Sequence, residues 1–248
     1  MRKIKLNIAL TLIMLTVLVS LFVATTLAYF SDSKHVTNTM TSGNVKIALS
    51  ESAVKYDQIG NLVADPSKPP IIGGSENQIH NYGKIYPSQT IHKDPTVKNI
   101  GSETAWIAFK ITVKDGKGDL RKIMGYPNSD HIDIRVFFSG ALFSERASMI
   151  SWNGFEKVIK NDKYAMVQVG SPHLDKYEFY VFLLNPVESG EEITLFDTMT
   201  ISDEWGNTEM QELSELTIDV EAFGVQTFNL ESCFHAMISA LPAYFDFN

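Results

Sequence analysis

Six histidines and 29 acidic side chains are the groups with which this chain could bind a metal or activate water. A hydrolytic zinc centre needs three protein ligands, usually histidine and carboxylate, plus an open position for the water. The histidines (His35, His80, His92, His131, His173 and His235) are scattered singly, and no helical His-Glu-x-x-His pair occurs. The tightest local grouping is Asp130-His131-Ile132-Asp133. On a strand, His131 and Asp133 would project from one face and make a weak candidate metal site. Arg135 falls on that face too, and a fixed cation beside a divalent metal is unfavourable. The simpler account is an exposed charge ladder with Asp133 between His131 and Arg135. No cofactor is expected.

Cys233 is the only cysteine, so no internal disulfide is available and stability must come from packing. With Phe234, Ala236 and Met237 beside it, the thiol reads as a buried small hydrophobe, and a disulfide-linked dimer is the lesser alternative. Asp115 and Asp119 frame a glycine-containing turn, but Tyr126 stands where a calcium loop would need glutamate. No serine or cysteine sits in an activating motif, and no glycine-rich phosphate loop follows a strand. Among Trp106, Trp152 and Trp205, the last lies in an acidic turn beside Asp203 and Glu204, the best place for an exposed aromatic. Packing is the better account of all three.

The elements that must hold these groups are strands. Val45, Ile47 and Leu49 alternate with polar or small residues after the Gly43-Asn44 turn. Residues 50–87 are punctuated by proline and glycine and read as a hairpin or surface excursion. Residues 90–98 and 105–113 make the next pair, with Ile107, Phe109, Ile111 and Val113 on one face and Trp106, Ala108 and Lys110 on the other. A turn at 115–119 leads to a short helical piece through Met124. Residues 132–138 read as a strand, followed by 164–169. Residues 177–184 are apolar on both faces, which predicts a central strand covered on both sides. Residues 193–201 and 216–225 follow, the latter with Leu216, Ile218, Val220 and Ala222 facing in.

About nine or ten short strands separated by turns predict an all-β, jelly-roll-like sandwich. The one convincing helix is C-terminal, with Asn229 as N-cap, Ser232 as the weaker alternative, and Phe234, Met237, Ile238 and Leu241 at helical spacing before Pro242. Its apolar stripe is expected to pack on the sandwich.

The first residues carry an address. Arg2, Lys3 and Lys5 precede an uncharged run over residues 6–30, and Thr26 and Ala28 occupy the −3 and −1 positions of a small-residue cleavage site before Tyr29. A run of about 20 apolar residues also suffices for an uncleaved anchor. Closure of the run in Ala24-Thr25-Thr26, with no basic cluster after Phe30, favours cleavage. Removing residues 1–28 takes away three positive charges and moves the formal charge from −8 to −11. Such an acidic chain repels nucleic acid and anionic lipid. The expected organisation is a signal peptide (1–28), an extended arm (29–42), a β-sandwich (43–228) and a C-terminal helix and tail (229–248).

Leu27-Ala28-Tyr29-Phe30-Ser31-Asp32, Val36-Thr37-Asn38-Thr39-Met40 and Gly43-Asn44-Val45-Lys46-Ile47-Ala48-Leu49 together resemble the start of the TasA/camelysin family. Members are secreted by Gram-positive bacteria and processed by a SipW-type signal peptidase. Lys93-Asp94-Pro95-Thr96-Val97-Lys98-Asn99-Ile100-Gly101 with Ala105-Trp106-Ile107 resembles an internal strand and turn of that family. Leu195-Phe196-Asp197, Met199-Thr200-Ile201 and residues 220–226 resemble its closing strands. Pro87-Ser88 stands where the family has Pro-Gly, the excursion over 52–86 is long, and the C-terminal helix has no counterpart.

The resemblance implies a secreted structural protein, a subunit or accessory of a biofilm-matrix fibre at the cell surface. It also implies a donor strand, in which the mature N-terminus of one subunit inserts into the next. Here Tyr29, Phe30, Val36 and Met40 would be the pocket-fillers. The alternative for this segment is a frayed end or the first strand of its own domain. The implied partners are further copies or related matrix subunits, with membrane contact only through the signal segment before cleavage. The rival readings are a camelysin-like metallopeptidase and a surface adhesion or carbohydrate-binding module.

Overall fold

Residues with apolar side chains on both faces can sit only where both faces are covered, and here they build the middle of the largest sheet. The computed structural model describes residues 44–73, 82, 84–115, 120–123, 131–173, 176–203, 206, 210, 216–245 and 247. The chain divides into a unit of residues 1–42 and a unit of residues 43–248, and all described residues belong to the second. The expected signal segment (1–28) and the expected extended arm (29–42) therefore lie outside the described residues.

Strands β1 (Ile47–Glu51), β2 (Val54–Tyr56), β3 (Leu62–Ala64), β4 (Ile71–Ile72), β5 (Thr90–His92), β6 (Thr96–Asn99) and β7 (Ala105–Asp115) come first. After the short helix α1 (Leu120–Ile123) follow β8 (Phe138–Ser139), β9 (Ser148–Trp152), β10 (Phe155–Lys160), β11 (Tyr164–His173) and β12 (Lys176–Leu183). Strands β13 (Glu192–Thr194), β14 (Thr198–Thr200) and β15 (Leu216–Gln226) precede helix α2 (Cys233–Ala240). The fold is an all-β sandwich. A six-stranded sheet runs β15-β7-β12-β11-β10-β9, and two smaller sheets run β13-β6-β1-β4 and β2-β3-β5-β14-β8.

The main core lies on one face of the six-stranded sheet. Ile107, Phe109, Ile111 and Val113 of β7 and Tyr177, Phe179, Val181 and Leu183 of β12 meet Leu62, Ile91, Val97 and Met199 of the small sheets. Close approach of the layers is visible at Gly224, where a Cβ would stand 2.9 Å from Ile47 Cγ2 and 3.2 Å from Val45 Cγ1. The opposite face of the sheet carries Ala108, Val158, Val167, Tyr180 and Phe182, and α2 with the tail behind it covers them. Ser232 and not Asn229 is the N-cap of α2, its hydroxyl accepting from the backbone N–H of His235; Asn229 lies in the preceding turn with φ of 59°. Cys233 is buried there, its thiol donating to the Ile107 carbonyl oxygen at 3.1 Å. Burial pushes that thiol's pKa well above its ordinary value.

Two stretches that read as single strands are broken at a shared corner. Residues 90–92 belong to one small sheet and 96–99 to the other, and 198–200 and 192–194 pair with them in the same order. Pro95 has no N–H to give a ladder. The pairing still carries across the bend, because Lys93 N donates to Asp197 O and Leu195 N to Pro95 O. This is one reason the described residues hold fifteen strands instead of nine or ten.

Residues 132–138 do not form a strand. Ile134–Val136 is a 3-10 turn with Asp133 as its N-cap, and only Phe138–Ser139 is extended. A short side chain that bonds its own backbone two residues on competes with a sheet ladder.

Ser88, in the turn before β5, has φ of 63°. That left-handed backbone costs a residue with a Cβ about 1–2 kcal/mol. Ser88→Gly is expected to stabilise the protein by about 1 kcal/mol, read as a higher urea midpoint at unchanged slope.

Candidate functional site

Strand β15 forms one edge of the six-stranded sheet and presents eleven residues. All eleven pair with β7 on its inner side, from Leu216 opposite Asp115 to Gln226 opposite Ala105. Among the described residues no strand pairs with its outer side. Leu216, Ile218, Val220 and Ala222 face the core but are only partly buried, whereas Ile107, Phe109, Ile111 and Val113 on β7 are fully buried. The core thins out along β15. Asp219 points to the other face, where Lys114 pairs with it at 3.1 Å.

The described chain begins beside this edge. Val45 and Ile47 are the side chains against Gly224 of β15. The start of the chain is pinned to the turn after β6. Ser102 N donates to Asn44 O, Asn44 N donates to Ser102 Oγ at 3.2 Å, and Ile100 N donates to Lys46 O. At Gly101 a Cβ would stand 2.5 Å from Asn44 O and 2.7 Å from Lys46 N, so only glycine fits. Asn99 is fully buried beneath this turn. Its Nδ2 donates to Glu103 O and Val187 O, and its Oδ1 accepts from Gly101 N. The residues Asn99-Ile100-Gly101 thus form a clamp on the root of the N-terminal segment.

A buried polar corner lies at the other end of β1. Lys93 is 4% exposed, and its ammonium donates to Glu51 Oε1 at 2.7 Å and Oε2 at 2.9 Å. The Tyr82 ring lies 5.7 Å from the same nitrogen. Burial, then the Glu51 and Asp94 charges, push the Tyr82 phenol far above its ordinary pKa, so it stays protonated. Asp94 accepts from Ser52 N and Ser52 Oγ at 2.7 and 2.6 Å, with His92 Nε2 3.3 Å away. These contacts tie β1 to the bend between β5 and β6. The cation–carboxylate pair and its neighbours hold a corner together.

The weak metal candidates are engaged in other ways. Both Asp133 oxygens bind Arg135, Oδ1 accepting from its backbone N and Nε at 3.0 Å and Oδ2 from Nη2 at 2.7 Å. His131 precedes the 3-10 turn and is partly buried. Burial, and then the Lys157 charge, hold its pKa below the ordinary 6.5 despite Asp133. Among the described residues no group of three or more His, Cys, Asp or Glu side chains is placed to hold a metal ion. Trp106 Nε1 donates to Leu230 O, and Trp152 packs on Phe182 and Phe234. Trp205 lies outside the described residues.

No family model, no curated protein and no solved structure matches the chain. The geometry therefore stands by itself. Thr26, Ala28, Tyr29, Phe30, Val36 and Met40 lie outside the described residues. Among the described residues no helix is long and apolar enough to cross a membrane.

Sequence reasoning passes over the Glu51–Lys93 pair and the Asn99 hub. The available signal is the run Lys93-Asp94-Pro95 followed by Val97 and Asn99, where polar residues alternate with core positions.

Proposed function

We propose that the chain is a secreted structural protein, a subunit or accessory of an extracellular or biofilm-matrix fibre. Residues 29–42 of one copy pair as an added strand along β15 of the next. The observation that carries this reading is the eleven-residue outer edge of β15, unpaired among the described residues and lying beside the root of the N-terminal segment. Unpaired backbone N–H and C=O groups on a long edge are a template for another chain. At roughly 3.3 Å per residue, residues 29–42 reach about 45 Å and β15 about 36 Å, so the arm can run the whole edge. In a strand, Phe30, Val36 and Met40 share one face and would extend the half-buried row of Ile218, Val220 and Ala222.

The test compares a chain beginning at Tyr29 with one beginning at Gly43, followed by light scattering and electron microscopy. Fibres from the longer chain alone are the expected result. Equal assembly of both would remove the arm as connector. Assembly of neither would end the self-assembling reading and send the samples to metal analysis and a casein-cleavage assay.

A further inference from the structure

We propose that Asn153-Gly154 is a self-modification site, at which the Asn153 side-chain amide is lost to attack by the Gly154 backbone nitrogen. Trp152 and Phe155 are paired across β9 and β10, so Asn153 and Gly154 form the entire turn between them. Their φ angles are 48° and 88°, the mirror-image geometry favoured in two-residue hairpins. Both residues are exposed, and a Cβ built on Gly154 would meet nothing within 4 Å. Among the described residues nothing crowds the turn at Gly154.

The chemistry needs only water. Gly154 N forms a bond to Asn153 Cγ, the Cγ–Nδ2 bond breaks, and ammonia leaves with the proton from the attacking N–H. The product is a five-membered cyclic imide. Water then adds at one of its two carbonyls and opens the ring, to aspartate or to isoaspartate. A side chain on the following residue would crowd the attack, and this is the one asparagine in the sequence followed by glycine.

Other asparagines are held as well as hindered. Asn99 is buried, with its amide donating to two carbonyls. Asn161 Oδ1 accepts from the backbone N–H groups of Lys163 and Tyr164, both at 2.8 Å. Asn153 is exposed in its turn and is the freest of these three.

The change would reach beyond the turn. Trp152 lies 5.2 Å from Phe234 and 5.9 Å from Phe182, and Phe155 lies 5.3 Å from Phe247, centroid to centroid. Isoaspartate adds a backbone carbon to a two-residue loop, which cannot keep β9 and β10 in the present register. Aspartate adds only a charge. The site is thus a slow covalent switch on the hairpin that grips the C-terminal segment.

The full chain would be held at mildly alkaline pH and physiological temperature and mapped by peptide mass spectrometry, with Asn161 as internal reference. Conversion at Asn153 roughly tenfold faster than at Asn161 is expected, since glycine presents no Cβ to the attack. The isoaspartate fraction should show red-shifted tryptophan emission, and Asn153→Gln should abolish both changes. The urea-unfolded chain gives the unrestrained rate. If Asn153 converts there but remains intact when folded, the turn locks the site and the proposal fails. Equal rates at Asn153 and Asn161 would also overturn it.

Discussion

A chain ending at Thr227 is expected to aggregate as it folds. Removing residues 228–248 strips α2 and the tail from the six-stranded sheet and bares Ala108, Val158, Val167, Tyr180 and Phe182. Phe234, Met237 and Phe245 are all buried in that layer. Fully burying such side chains is worth about 1.5–3 kcal/mol each, so these three reach about 5–9 kcal/mol. That is comparable to the entire net stability of a typical domain, about 5–15 kcal/mol. The rings are also interlocked, with Phe245 5.2 Å from Tyr180 and 5.0 Å from Phe223. The truncated chain should partition into the pellet, and any soluble fraction should bind a hydrophobic dye strongly. A truncated chain with unchanged melting temperature would show that this layer is an ornament.

Lys93→Ala is the second large effect, expected to cost about 3–5 kcal/mol because the Glu51 carboxylate is left in a mostly buried site without its cation. The ion pair itself is a different matter. Replacing both partners by apolar groups of similar volume, Lys93→Met with Glu51→Leu, removes the desolvation penalty together with the attraction. The double variant should recover most of the loss, and urea unfolding of the unaltered chain, Lys93→Met, Glu51→Leu and the double variant gives the coupling. Absence of coupling would mean that Lys93 acts through its packing alone. The Ser52–Asp94 bonds remain in every variant, so the bend at Pro95 should stay formed.

Period-two alternation makes β7, β12 and β15 legible from the sequence, down to which side chains face in. Each is long, and β7 and β12 are covered on both faces, so the pattern is dense. The corner at 93–97 is harder to read, because alternation continues through a bend that moves the chain from one small sheet to the other. Only Pro95 marks it. Residues 132–138 mislead in the opposite direction. Their alternation holds only at Ile132 and Ile134, which are buried; the Asp133 carboxylate takes the Arg135 N–H and curls the chain, so that Val136 is exposed while Phe137 and Phe138 are both buried. The edge position of β15 among the described residues is beyond sequence reading, since it depends on which strands come together from distant parts of the chain. The Glu51–Lys93 pair escapes for the same reason, its members lying 42 positions apart.

The pairing of β7 with β15 has a consequence for how the chain reaches its final form. Leu216 opposite Asp115 closes about a hundred residues of intervening chain, and contacts so distant in sequence make folding slow. Until the residues of β15 and α2 have left the ribosome, β7 lacks one neighbour and the outer face of its sheet lacks a roof. The protein is therefore most adhesive just before it is finished, and a chaperone would matter most in that interval.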